Sequence, residues 1–250
     1  MVEVNCNNFR NFVKCLEPVG DELLFQFSPN GILVKAIGQG NQMIIEVRMG
    51  MDTGFTGKIG MSLDMIEKLL PKEVPEVNIA FGKQSVITAT GYKATIMGIS
   101  EETCLRVPKK ELVIEPGAIR VDAQQMHDRL LSLKKAFSGL AFTMTLDPEK
   151  PTMVGFSDFD SAMGSMNNSI IALTPVTGKD EQTYPYDIAL PILNAIRLMS
   201  QGVDLRFMDM PMNDGCKALV IEGNAVLVNP DPDRKDTITF QYVVAPRVKE

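Results

Sequence analysis

The residues best able to do chemistry in this chain are few and scattered. Four cysteines, Cys6, Cys15, Cys104 and Cys216, match no C-x-x-C spacing, and a single histidine, His127, exists to complete a metal set. No metal and no cofactor is expected. Isolated cysteines of this kind read as small buried hydrophobes. A Ser-His or Cys-His pair could use only His127, which lies in a helical pattern beside Asp128 and Arg129 and reads as a solvated helix position. The stretch Gly54-Phe-Thr-Gly57-Lys58 fails as a phosphate loop. Asp52 stands where its first glycine should be and Ile59 where a Ser or Thr should follow the lysine. Ser132 to Lys135 contains S-x-x-K without an S-D-N or K-T-G partner, so helical spacing explains it. Asp231, Asp233 and Asp236 alternate with prolines and other polar residues as a solvated turn would, and Asp158 with Asp160 reads the same way. Catalytic residues are therefore expected to be none, and the chain is not expected to be an enzyme.

Composition narrows the remaining functions. With 250 residues and 45% hydrophobic content the chain can bury a sizeable core, which excludes general disorder. Its 25 basic residues against 31 acidic ones give a net charge of -6, which excludes a protein that is basic all over. Any nucleic-acid contact must be local. No run approaches the length of a membrane span, and Met1 to Arg10 lacks the apolar core of a signal peptide. The expectation is a cytoplasmic location, or a nuclear one in a eukaryote, with no membrane partner.

The elements that would position a binding surface recur along the chain. Phe9, Phe12, Val13 and Leu16 predict a short amphipathic helix over 8–18, followed by a hairpin of 23–27 and 32–37 around Ser28-Pro29-Asn30-Gly31. A second helix starts at Ser62 as N-cap and leads to strands at 77–81 and 86–90. A third opens with Asp122 and Gln125 in capping-box spacing and leads to strands at 141–146 and 153–156. The fourth spans 188–201, with strands at 203–208 and 218–222 around Asn213-Asp214-Gly215. Further strands are expected at 43–49, 92–99, 165–173 and 237–244. The charged stretch 100–115, broken by Val107-Pro108, suits an extended connector and places a domain boundary near residue 112. Four helix-and-hairpin units, two per half, predict an α+β fold with sheets backed by helices.

Charge is unevenly distributed over these elements. The helix windows 8–18, 62–72, 122–137 and 188–200 hold eight basic and five acidic residues, an excess of +3 that leaves -9 elsewhere. If the four helices share one side of the sheets, their polar faces form a single surface suited to phosphates.

Several segments resemble the archaeal and eukaryotic sliding clamps of the proliferating cell nuclear antigen type. They are Phe9-x-x-Phe12-Val13, Asp21-Glu22, Phe25-x-Phe27-Ser28-Pro29-Asn30-Gly31-Ile32 with Val34-Lys35-Ala36-Ile37, and Ile59-Gly60-Met61-Ser62-Leu63. The connector Cys104-Leu105-Arg106-Val107-Pro108 and the tail Tyr242-Val243-Val244-Ala245-Pro246-Arg247-Val248 complete the series, which covers essentially the whole chain. The resemblance implies a DNA clamp fold: an N-terminal domain over 1–98, a connector over 99–112 and a second, similar domain over 113–250. Each domain has two helices backed by sheet, and three subunits close into a ring around duplex DNA.

The same resemblance implies function without chemistry. A clamp loader places the ring on double-stranded DNA, where it tethers DNA polymerase, flap endonuclease and DNA ligase through short motifs. DNA contact falls to Arg10, Lys14, Lys68, Arg129, Lys134, Lys135 and Arg197. The client pocket comprises Ile37, Ile44, Leu105, Val107, Pro108, Val226, Ala245 and Pro246. Self-association pairs Tyr92, Lys93, Ala94, Thr95 and Ile96 with Ser165, Met166, Asn167, Asn168, Ser169 and Ile170 of a neighbour. Departures from the family pattern fall at Gln42, where an apolar residue is usual, and at Val243, often aromatic. They imply an altered pocket, and the alternatives are a checkpoint-type clamp or one subunit of a heterotrimer.

Overall fold

The computed structural model describes residues 1–109, 117–158, 168–200, 202–210, 215–229 and 234–247. The chain forms two compact units, residues 1–110 with 224–240 and residues 111–223 with 241–250. This division differs from a single cut near residue 112, because 224–240 groups with the first unit. The buried Asp236 carboxylate accepts hydrogen bonds from Asn8 Nδ2 at 2.9 Å and Asn229 Nδ2 at 3.2 Å. Gly50 adds to this: a Cβ there would lie 2.5 Å from Thr237 Oγ1, so the missing side chain lets the returning segment approach.

In unit 1, β1 (Val2–Asn5), β6 (Glu76–Ala80), β7 (Gln84–Ala89) and β8 (Tyr92–Met97) form a sheet in the order β1-β6-β7-β8. A second run has the order β5 (Gly57–Ser62), β2 (Glu22–Ser28), β3 (Gly31–Ile37), β4 (Met43–Gly50) and β16 (Asp236–Val244). Helices α1 (Cys6–Leu16) and α2 (Leu63–Leu69) complete the unit. In unit 2 the sheet order is β12 (Asn168–Ile171), β11 (Met153–Asp158), β10 (Ala141–Leu146) and β13 (Asp180–Pro185). Beside it run β15 (Lys217–Leu227), β14 (Gly202–Asp209) and β9 (Ile119–Asp122), with helices α3 (Ala123–Phe137) and α4 (Tyr186–Ile196). All registered pairs are antiparallel, and each of the four helices precedes a hairpin as the repeat predicts.

Local chemistry explains the helix boundaries. α1 starts two residues before the predicted Asn8, because Asn5 is the cap and its Oδ1 accepts from Asn7 and Asn8 backbone N–H groups at 3.1 Å. α2 begins as expected, with Ser62 Oγ accepting from Met65 N at 3.2 Å. α3 is capped by Asp122 Oδ1, which accepts from Gln125 N at 2.7 Å, and it ends at Ser138 in a left-handed conformation, φ 55°. α4 runs from Tyr186 to Ile196 rather than from 188 to 201, so Arg197 is its C-cap instead of an interior residue.

The cores are layered aromatics. In unit 1 Phe27 meets Phe81 at 4.7 Å and Phe55 at 5.5 Å between ring centroids. In unit 2 Phe142 packs on Tyr186 at 5.3 Å and on Tyr184 at 5.9 Å. His127 corrects the solvated reading. It is buried, because Ala123, Met126, His127, Leu130 and Leu133 form the inward stripe of α3, and its Nδ1 lies 3.0 Å from Asp128 Oδ1. Asp158 and Asp236 are likewise buried rather than solvated, Asp158 as the last residue of β11 and Asp236 as the first of β16. Asp160, Asp231, Asp233, Asn213 and Asp214 lie outside the described residues. Of the cysteines, Cys6 and Cys15 are buried as expected, whereas Cys104 and Cys216 are half-buried.

Candidate nucleic-acid and partner interfaces

The seven cations expected to meet DNA sit in different surroundings. Lys14 is exposed on α1, and Arg129 and Lys135 are exposed on α3 with Lys134 half-buried. Arg129, Lys134 and Lys135 make no salt bridge among the described residues. Lys68 is paired with Asp64 at 2.6 Å in i,i+4 spacing, and that hydrogen bond holds its ammonium above the usual lysine range. Arg10 reaches across to the end of α2, where Nη2 donates to the carbonyls of Leu70, at 3.3 Å, and Pro71. Its Nη1 donates to Asn7 Oδ1 at 3.3 Å. Arg197 ties α4 to the start of α3, with Nη1 donating to Gln124 Oε1 at 2.8 Å and Nε to Asn194 Oδ1 at 3.1 Å. With the observed boundaries the helices carry six basic and four acidic residues, an excess of two.

One carboxylate beside the helix cations of each unit has a shifted acidity. Glu17, the C-cap of α1, has its carboxyl pushed up by partial desolvation, by a hydrogen bond with Glu67 and by the charge of Glu67, with Lys14 opposing. Asp128 is pulled down by hydrogen bonds from Gln124 and His127, so it stays charged beside Arg129. Asp21 has a part that no spacing rule reveals. Its Oδ1 accepts from Asp64 N at 2.7 Å and its Oδ2 from Ser62 Oγ at 2.8 Å, a second cap on α2.

The apolar residues expected to form a client pocket separate by unit. In unit 1, Ile37 and Ile44 are cross-strand partners on β3 and β4, and Ile37 N donates to Arg106 O at 2.8 Å. Leu105 N donates to Glu22 O at 2.9 Å, so the connector is stitched to both β2 and β3 around Leu105, Val107 and Pro108. Gly20, with φ +144°, makes room for Leu105: a Cβ there would lie 2.9 Å from Leu105 Cδ1. Val226 is 72% exposed, which removes ordinary core packing as its explanation. Ile37, Ile44, Leu105, Val107 and Pro108 are half-buried, a state suited to receiving another apolar group. In unit 2, Ala245 and Pro246 are half-buried and follow β16, and the next residue, Arg247, donates its N–H to Thr183 O at 2.8 Å. Of the two departures, Gln42 is exposed and Val243 is buried.

The expected self-association segments lie on sheet edges. β8, which carries Tyr92, Lys93, Ala94, Thr95 and Ile96, ends the order β1-β6-β7-β8, and β12 ends the order β12-β11-β10-β13. Asn168, Ser169 and Ile170 belong to β12, whereas Ser165, Met166 and Asn167 lie outside the described residues. Exposed apolar side chains cluster here: Met97 on β8, and Met153, Ile171 and Leu173 at the other edge. Beside β12, Thr145, Met153, Gly155, Ser157 and Ser169 help line a cleft of about 310 Å³. Among the described residues no helix is long and apolar enough to cross a membrane.

No family profile matches the sequence, and no curated protein matches it. Solved structures do match, over nearly the whole chain. A chain of the PCNA2–PCNA3 complex from Sulfolobus tokodaii is 16% identical with a TM-score of 0.71, covering 99% of each chain. Proliferating cellular nuclear antigen from Entamoeba histolytica is 12% identical, with a TM-score of 0.74, over 98% of this chain and 96% of that one. PCNA of A. fulgidus, solved with the C-terminal region of FEN-1, is 13% identical, with a TM-score of 0.76, over 100% of this chain and 98% of that one. The α+β architecture described above is therefore the DNA clamp fold. At this level of identity the likeness to these PCNA structures is one of fold.

Proposed function

We propose that this chain is a DNA sliding clamp, a non-enzymatic processivity factor whose subunits close as a ring of three around duplex DNA. The observation that carries this reading is the pair of sheet edges. Among the described residues, β8 and β12 each leave one side of a strand without a registered neighbour, and exposed apolar residues flank both. Such edges invite strand addition, and a closed ring satisfies all of them at once. In this reading the edges pair through 92–96 and 165–170, and the helix cations contact the DNA. Ile37, Ile44, Leu105, Val107, Pro108, Val226, Ala245 and Pro246 receive the short motifs of polymerase, flap endonuclease and ligase, after a clamp loader has placed the ring. The FEN-1 segment bound to the A. fulgidus relative supports a flap endonuclease as one such client. The proposed location is cytoplasmic, or nuclear in a eukaryote. Light scattering on the purified chain tests assembly: about three times the chain mass is expected, and a chain that stays monomeric at micromolar concentration contradicts a homotrimer.

A second reading, one subunit of a mixed ring or a checkpoint-type clamp, has its own support. The chain is similar to a member of a PCNA2–PCNA3 complex, and β12 offers no acidic residue to meet Lys93 of β8. A chain that is monomeric alone and assembles only with a second, related chain would favour it.

A further inference from the structure

In each unit one arginine spends its guanidinium on joining the two helices. Arg10 covers the carbonyls of Leu70 and Pro71 just past the end of α2, which the helix itself cannot satisfy. Arg197, at the end of α4, holds Gln124 in the first turn of α3. Swinging either guanidinium away from its helix pair onto a phosphate would break these bonds, so the two arginines are held in place rather than free to follow a phosphate. Lys68 is likewise engaged by Asp64, and α2 also exposes Glu67. The outward face of α4 runs Asp187, Pro191, Asn194 and then exposed Leu198, none of them a cation. On α1 the exposed cation is Lys14, with Glu17 near it. α3 differs: it exposes Arg129 and Lys135, with Lys134 half-buried on its flank, against a single exposed acid, Asp128. Two of these cations lie in the last turn, where the helix carbonyls favour positive charge.

We propose that duplex phosphates are held chiefly by α3, through Arg129, Lys134 and Lys135, and that Arg10 and Arg197 are positioning residues that fix the spacing of their helix pairs. The inference rests on the clamp reading above and divides its seven cations by role. Phosphate binding and helix bracing have different signatures. Removing one cation that neutralises a phosphate reduces the slope of log K against log salt by about 0.9, whereas removing a brace lowers stability without changing counterion release.

The test is equilibrium binding of a short fluorescent linear duplex at several salt concentrations, with melting midpoints measured in parallel. R129Q/K134Q/K135Q should keep the wild-type midpoint and lower the slope by up to about 2.7 per engaged subunit. R10Q/R197Q should melt earlier and keep the wild-type slope. If that variant does not fold, R10K/R197K replaces it: lysine keeps the charge but not the forked geometry, so a lowered midpoint with an unchanged slope is again expected. Equal slope reductions in the α3 and arginine variants would overturn the division of roles while leaving the clamp reading in place. A wild-type chain that binds no duplex at any salt concentration would overturn the phosphate assignment, whereas the clamp reading stands or falls on assembly and on retention by end-blocked duplex.

Discussion

The two units follow one plan and fill it differently. Unit 1 packs six phenylalanines, Phe9, Phe12, Phe25, Phe27, Phe55 and Phe81, in a network of ring contacts without a phenolic hydroxyl. Unit 2 builds the corresponding layer from Phe142, Phe156, Tyr184 and Tyr186. Both hydroxyls are satisfied there, Tyr184 by Lys217 O at 3.0 Å and Tyr186 by Asp158 Oδ2 at 3.3 Å. Burial raises both phenols far above their ordinary range, so they stay protonated and can donate these bonds. A helix-and-hairpin plan thus constrains volume and period more than chemistry. Either unit tolerates a change of side-chain type where the polar atom finds a partner. The helix pairs differ too, since cations are interleaved with acids in unit 1 and concentrated on α3 in unit 2.

The cores should give the largest losses of stability. Phe27→Ala in unit 1 and Phe142→Ala in unit 2 should each cost about 3–5 kcal/mol in chemical denaturation, because each opens a cavity in a ring cluster. The polar difference appears one step down. Tyr186→Phe removes a donor from the buried Asp158 carboxylate and should cost about 1–3 kcal/mol, whereas an extra hydroxyl at Phe25 in unit 1 would have to find its own partner. A cost near zero for Tyr186→Phe would mean that the hydroxyl of unit 2 is incidental.

At the edge of unit 2, two adjacent residues should behave in opposite ways. Ile170 is 3% exposed and Ile171 63% exposed on the same strand, so Ile170→Asp should destabilise unit 2 itself. Ile171→Asp should leave the melting of the chain nearly intact and release monomers from the assembly, as read by light scattering. The proposed client pocket should respond less. Leu105→Ala or Ala245→Asp should weaken a clamp-interacting peptide at least tenfold, about 1.4 kcal/mol, while leaving the proposed assembly unchanged.

Much of this organisation is legible in the sequence because it rests on local rules. The caps Ser62 and Asp122, the Pro-Asn-Gly turn and the 3.6-residue periodicity each act within a few residues. β1, β9 and β13 are less legible. The first two are four residues long, and Asp180–Pro185 carries too few apolar residues to announce a strand that pairs with β10 along six positions. His127 is missed for a related reason, since its polarity and its neighbours Asp128 and Arg129 conceal that its spacing from Ala123 and Leu130 turns it inward. The cations of the candidate DNA surface are all visible in the sequence, but the long-range partners of its two arginines are not. Arg10 meets Leu70 and Arg197 meets Gln124 across long sequence separations that no local rule reaches.

The pH dependence that Glu17 gives unit 1 should be smaller still. Glu17 has a raised folded pKa, so its contribution to stability is fully present below the ordinary carboxylate value and is lost as pH rises through the raised one. Glu17→Gln should therefore raise the melting midpoint at neutral pH and change little in acid, because it removes a carboxylate charge that is partly desolvated and repelled by Glu67. An equal shift at both pH values would show that the effect is not electrostatic.

A ring holds DNA by enclosing it, so its grip is topological. Threading the chain onto linear duplex with free ends, blocking both ends with biotin and streptavidin, and washing in high salt reads that property alone. Retention on the end-blocked duplex, loss from the free-ended one and no capture of closed circular duplex in the absence of a loader are the predicted results. Equal retention on free and blocked ends, or stable binding to the closed circle, would contradict enclosure.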